Sequence, residues 1–107
     1  MSNRQPQTSD AFRTFISQAS GHAEAWMGAV HGLDAASALD KKTEELAHLA
    51  VLAALRLESS IPLHVQLAEE AGATREEIIS AILVGLPAAG QDVTQVLPTA
   101  IATYNAG

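Results

Sequence analysis

The chain has 107 residues, of which 48% are hydrophobic and 17% charged, with no cysteine and a formal net charge of −6. That length and apolar content correspond to one folded domain, and the absence of cysteine excludes disulfide scaffolds, thiolate metal sites and thiol catalysis. Six basic residues against twelve acidic ones argue against nucleic acid, because neutralising phosphates requires clustered Lys and Arg.

Along the chain, residues 1–9 read as a flexible polar arm, ordered only where something holds it, and residues 10–107 as a single helical domain. The arm lacks the apolar core of a signal peptide, so a cytoplasmic location is expected. Phe12, Phe15 and Ile16 repeat at helical spacing, with Ser9 or Asp10 as the N-cap. A break at Ser20-Gly21 leads to a second helix carrying Trp26, Met27 and Val30 and ending near Gly32. Asp40 opens the strongest helix, from Lys41 to about Leu57, whose stripe of Leu46, Leu49, Ala50, Ala53 and Leu57 is widened by Ala47, Ala54 and Leu55. A helix apolar on most of its circumference belongs in the centre of a bundle or in an interface.

Ser59, Ser60 and Pro62 mark the start of a fourth helix that runs to about Ala71 and ends at Gly72 in a left-handed cap. Thr74-Arg75-Glu76-Glu77 is a capping box, and the apolar run that follows stops at Leu86-Pro87. A last helix begins near Asp92, with a kink expected at Pro98. Gly85 and Gly90 read as points of close helix approach. No period-two alternation signals a strand. The fold class is therefore all-α, one domain of about six helices. The longest apolar run, Leu49 to Leu55, falls far short of the roughly 18 residues of a membrane span. Charged residues are scarce beside the about 25% of an ordinary soluble domain. Apolar surface patches covered by a second copy of the chain are therefore expected.

Few residues can carry chemistry. Glu45 and His48 stand at i, i+3 and share a helix face. Glu-x-x-His serves di-iron bundles, but those use two copies and two further Glu, and one copy is present. No metal or cofactor is expected, and a metal-dependent reading built on Glu45, His48 and His64 is the minor alternative. His64 lies in the first turns of the fourth helix, where the positive end of the helix dipole favours the neutral imidazole and a general-base role. Its competing reading is a core histidine bonded to a carbonyl. Trp26 and Met27 read as packing residues, with a pocket mouth as the lesser option.

The segments Glu45-Leu-Ala-His-Leu-Ala-Val-Leu-Ala-Ala-Leu-Arg-Leu57, Glu58-Ser-Ser-Ile-Pro-Leu-His64 and Ala71-Gly-Ala-Thr-Arg-Glu-Glu-Ile78, with the small-residue block Val84-Gly-Leu-Pro-Ala-Ala-Gly90, resemble the carboxymuconolactone decarboxylase and AhpD-like alkylhydroperoxidase superfamily over about residues 36–104. The resemblance implies an all-α fold that assembles as a homotrimer or homohexamer. The peroxidase branch carries Cys-x-x-Cys with a His four residues later and a Glu twelve residues before the first Cys. In this chain that Glu matches Glu45 and the His matches His64, while the thiol positions match Leu57 and Ser60. Peroxide reduction by this route needs an attacking thiolate and a resolving thiol, which Leu and Ser cannot replace.

What remains is an acid/base pair, Glu45 and His64, as the candidate catalytic residues, with Arg56 and Ser60 as candidate substrate-binding residues. The decarboxylase branch also lacks the dithiol and acts on a carboxylated lactone, so the resemblance implies acid/base chemistry on a small carboxylated or lactone substrate. An oligomeric binding or structural member without catalysis is the alternative. Arg56 reads equally well as a surface residue paired with Glu58 or with a partner's carboxylate. Geometry poses a difficulty: at about 1.5 Å per residue, a straight antiparallel hairpin leaves Glu45 roughly 10 Å beyond the level of His64. Contact needs either a steep helix crossing or a Glu45 from another subunit.

Overall fold

The computed structural model describes residues 5–107, and the first four residues of the expected arm lie outside them. The described residues form helices and turns without a strand: α1 (Asp10–Gln18), α2 (Ser20–Ala36), α3 (Lys41–Leu55), α4 (Ile61–Glu70), α5 (Arg75–Leu83), the single turn α6 (Leu86–Ala89) and α7 (Leu97–Ala106). Short 3₁₀ turns at Glu58–Ser60 and Gln91–Val96 precede α4 and α7. Six helices of nine residues or more match the expected architecture.

Local chemistry accounts for most boundaries. The Ser9 hydroxyl accepts the Phe12 amide and starts α1. Asp40 accepts the Thr43 amide at 2.8 Å and starts α3. Thr74 and Glu77 form the reciprocal capping box of α5, and Gly72 takes the positive φ of 96° that ends the α4 segment. Other boundaries differ from expectation. The break between α1 and α2 falls on Ala19, so Ser20 and Gly21 lie inside α2, which continues past Gly32 to Ala36. Pro98 does not kink a helix. It occupies the first turn of α7, where its missing N–H has no partner to lose. Gly90 serves a turn with φ 85° rather than a close approach, and a Cβ on Gly85 would meet Val93 at an ordinary 3.5 Å.

The core lies among α3, α4, α5, the Gln91–Val96 turn and α7. Leu49, Ile61, Val65, Ile78, Ile82, Val93 and Val96 are fully buried there. α3 packs against both α4 and α5, as a helix apolar on several faces requires. Its buried face, however, is Glu45, Leu49, Leu52 and Ala53, so a carboxylate stands in register with core leucines. On the remainder of the apolar circumference of α3, Leu46 packs against the core while Val51 and Leu55 are exposed. α1 and α2 contribute almost nothing to this core. α1 buries no residue, α2 buries only Ala23, and Leu33 on α2 is 71% exposed. They form a separate layer over one end of α3 and α4.

The cap at Asp40 predicts an acid-sensitive contribution to stability. Hydrogen bonding from Thr43 holds its carboxyl below the usual range, with help from the Lys42 charge. A lowered folded-state pKa stabilises the fold above the ordinary Asp value of about 3.9, and the benefit disappears as pH falls through the lowered value. Asp40→Asn keeps an acceptor but removes the titration. Chemical denaturation should therefore show the wild type ahead of this variant at neutral pH, with the two curves converging in acid.

Candidate functional site

Between the α1–α2 layer and the α3–α4 pair lies a cavity of about 670 Å³. Its walls are largely apolar: Phe12 from α1, Trp26, Met27, Val30 and Leu33 from α2, Leu52 from α3, Leu63 and Leu67 from α4. Its polar groups are gathered from Lys41, Glu44, Glu45 and His48 of α3, His64 of α4, His31 and Asp34 of α2, and Ser59 and Ser60 of the connecting turn. Trp26 and Met27 thus line the cavity, and neither belongs to the buried core.

Glu45 and His64 meet within one chain. His64 Nδ1 stands 2.8 Å from Glu45 Oε1, so the histidine is bonded to a carboxylate and not to a backbone carbonyl. Ten residues of helix separate Glu45 from the end of α3, and only three separate the start of α4 from His64. At helical rise those levels do not coincide in a straight antiparallel pair, yet the connection through residues 56–60 and the packing of α4 on α3 bring the two side chains together. No second subunit is needed to complete the pair.

Glu45 is 4% exposed, and a carboxylate buried to that degree must be paired. Burial pushes its carboxyl up, but the hydrogen bonds from His64 and Lys41 outweigh this and the net displacement is downward. Lys41 Nζ lies 3.1 Å from Glu45 Oε2 one helical turn away, with Asp34 at 3.6 Å and Glu44 at 3.8 Å. These carboxylates, Glu45 foremost, raise the lysine's affinity for its proton. The His48 ring lies beside that of His64, with centroids 3.8 Å apart. Desolvation, and secondarily the proximity of His64, hold His48 below the usual imidazole range, which favours its neutral form. One ligand atom from each of Glu45, His48 and His64 falls within 4.8 Å of the others.

The remaining two candidates separate. Ser60 lines the cavity. Arg56 does not: it occupies the C-cap of α3 in the left-handed region, φ 56° and ψ 38°, and its guanidinium meets Asp92 at 2.6 Å. Glu58, the alternative partner considered from sequence, accepts instead from the Thr99 hydroxyl at 2.9 Å. The cation beside the pair is Lys41, which sequence reasoning passed over. Its signal was present, since Lys41 and Glu45 are spaced i, i+4 on one helix.

The arm also contributes. Thr8 and Ser9 line the cavity, and the buried Gln66 anchors the segment before them, accepting the Gln7 amide and donating to the Gln5 carbonyl, both at 3.0 Å. Gln66 thus holds residues 5 and 7 of the arm, while Arg13 donates to the carbonyl and hydroxyl of Thr8.

Fold and site together describe an all-α domain whose polar chemistry rests on carboxylate, imidazole and ammonium in a largely apolar cavity. The sequence profile of the carboxymuconolactone decarboxylase family matches residues 21–101, and the chain belongs to that family. The match begins in α2, so the arm and α1, which supply Thr8, Ser9 and Phe12 to the cavity, lie outside it. No curated protein and no solved structure gave a match. Among the described residues no helix is long and apolar enough to cross a membrane.

Replacing Gln66 by Leu, which keeps the buried volume but removes both amide contacts, should release the arm. Hydrogen exchange at the Gln7 amide is expected to rise sharply in this variant, while amides of α3 and α5 stay protected. Unchanged protection at Gln7 would show that the arm is held by something else.

Proposed function

We propose that this chain carries out acid/base chemistry on a small carboxylated or lactone substrate, as a decarboxylase-like member of its family that works without thiols. The observation that supports this reading is the 2.8 Å contact between His64 and the buried Glu45 beside an open, mostly apolar cavity. A neutral His64 that donates Nδ1–H to the carboxylate keeps its lone pair on Nε2, and the carboxylate stabilises the imidazolium formed when Nε2 takes a proton. For a carboxylated lactone, the bond to the carboxyl carbon breaks and carbon dioxide departs. The electron pair stays on the ring carbon conjugated with the carbonyl, and the imidazolium of His64 delivers its proton there.

Lys41 is the one ammonium among the residues lining the cavity, and Ser60 is available to bond the lactone oxygens. Asp34, Glu44 and Glu45 already surround Lys41, so a substrate carboxylate competes with them for it. A lactone with a single carboxylate therefore suits this lining better than a doubly charged acid. The reading of a catalytically inactive family member is less well supported, because Leu57 is exposed and does not fill the cavity.

The test is a lactone panel assayed by mass spectrometry for loss of carbon dioxide or ring isomerisation. His64→Ala and Glu45→Gln should each lower turnover by ~10²–10⁴-fold, the range for loss of a general acid/base group. Lys41→Met should raise KM for carboxylated members of the panel, and Arg56→Met should leave it unchanged. Activity that survives His64→Ala undiminished defeats the proposal.

Self-association as a trimer or hexamer is proposed alongside. Trp26, Leu33, Val51, Leu55 and Val84 are all exposed large apolar side chains, which packing against a second copy would remove from water. Sedimentation equilibrium is expected to return a mass at least three times that of the 11.2 kDa chain. A strictly monomeric species at micromolar concentration would refute this.

A further inference from the structure

We propose that Glu45, His48 and His64 form a binding site for a first-row divalent cation of the zinc type. The proposal is a different use of Glu45 and His64 from the acid/base reading, because a cation between them sends the His64 proton to Nε2. It also employs His48, to which that reading gives no task, and it reverses the expectation of no metal drawn from the sequence.

The donor set is one carboxylate and two imidazoles, a combination that borderline transition metals accept and that leaves further coordination positions open. The three ligand atoms already lie within 4.8 Å of one another. Ligand bonds of about 2.0–2.2 Å place neighbouring donors on one tetrahedral ion roughly 3.3–3.6 Å apart. Glu45 Oε1 and His64 Nδ1 stand 2.8 Å apart, so a cation that replaces the proton between them needs this pair to open by roughly 0.5–0.8 Å. On binding, that proton moves to the other ring nitrogen of a neutral His64, and no net proton need be released. Bringing the third donor in requires closing a gap of up to 4.8 Å to about 3.5 Å, with the His48 ring turned out of its stack on His64, where the centroids are 3.8 Å apart.

The supports are rigid. Glu45 and His48 share one face of α3 at i, i+3, and the packing of α4 on α3 sets His64 against them. The second oxygen of Glu45 is held by Lys41 at 3.1 Å, an outer contact of the kind that orients a ligating carboxylate. Charge is complementary as well: the cavity lining presents Asp34, Glu44 and Glu45 against the single ammonium of Lys41. With the imidazoles neutral this is a surplus of negative charge, which attracts a cation. The unfilled coordination positions would face the cavity.

The test uses the full chain stripped with a chelator and dialysed free of it. Zinc chloride is titrated by calorimetry, and cobalt chloride is followed by visible absorption. One saturable zinc per chain, with cobalt bands intense enough for four- or five-coordination, is the expected result. His48→Ala should weaken zinc binding by ~100-fold or more, beyond the loss of an outer partner, and His31→Ala should leave it unchanged. Circular dichroism establishes that each variant is folded, and His48→Gln replaces any that is not. Absence of saturable binding overturns the proposal, as does zinc affinity that survives His48 replacement or depends on His31. No substrate enters these measurements, so their failure is distinguishable from failure of the acid/base reading.

Discussion

The site depends on one buried interaction, the hydrogen bond between Glu45 and His64, and that bond depends on how α4 packs against α3. Glu45 sits on the same face as Leu49 and Leu52 and is carried into the interior with them. A carboxylate there is tolerable only with partners, because desolvating an unpaired charge costs several kcal/mol. His64 from α4 and Lys41 from the first turn of α3 provide those partners. The polar cluster is thus a condition of folding α3 in this orientation as well as a set of reactive groups.

The rest of the architecture follows a division of labour between two layers. α3, α4, α5 and α7 with the Gln91–Val96 turn bury the large aliphatic side chains and supply cohesion. The α1–α2 layer buries almost nothing itself but closes the cavity above the cluster. A layer with so little core of its own belongs to the low-stability end of a structure. Gln66 connects the two, since it belongs to α4 and holds the arm that runs into α1. The family match runs from within α2 to within α7, so it leaves out the arm, α1 and the last part of α7.

Legibility varied with the range of the interaction. The caps at Ser9, Asp40 and Thr74 were readable because a side chain and an amide three residues away satisfy each other locally. Pro98 was misread because a proline is compatible with both a kink and a helix start, and only the 3₁₀ turn before it decides between them. Glu45 and His64 were identified through resemblance, while rise-per-residue arithmetic alone spoke against their contact within one chain. Arg56 was chosen for its charge and its nearness in sequence to the motif, but the left-handed cap at the end of α3 turns it toward Asp92. Lys41, four residues before Glu45, is the cation that shares the cavity.

The amino-acid sequence alone determined that this is an all-α chain without thiol chemistry, since helical periodicity, capping and the absence of cysteine are local or compositional properties. It also determined which residue types were available to react. The tertiary structure decided which of them meet. The docking of α4 on α3 that joins Glu45 to His64, the stacking of His48 beside them and the exclusion of Arg56 all arise from packing between segments distant in sequence. Such packing is set by the fit of many side chains at once, and no single stretch of chain contains it.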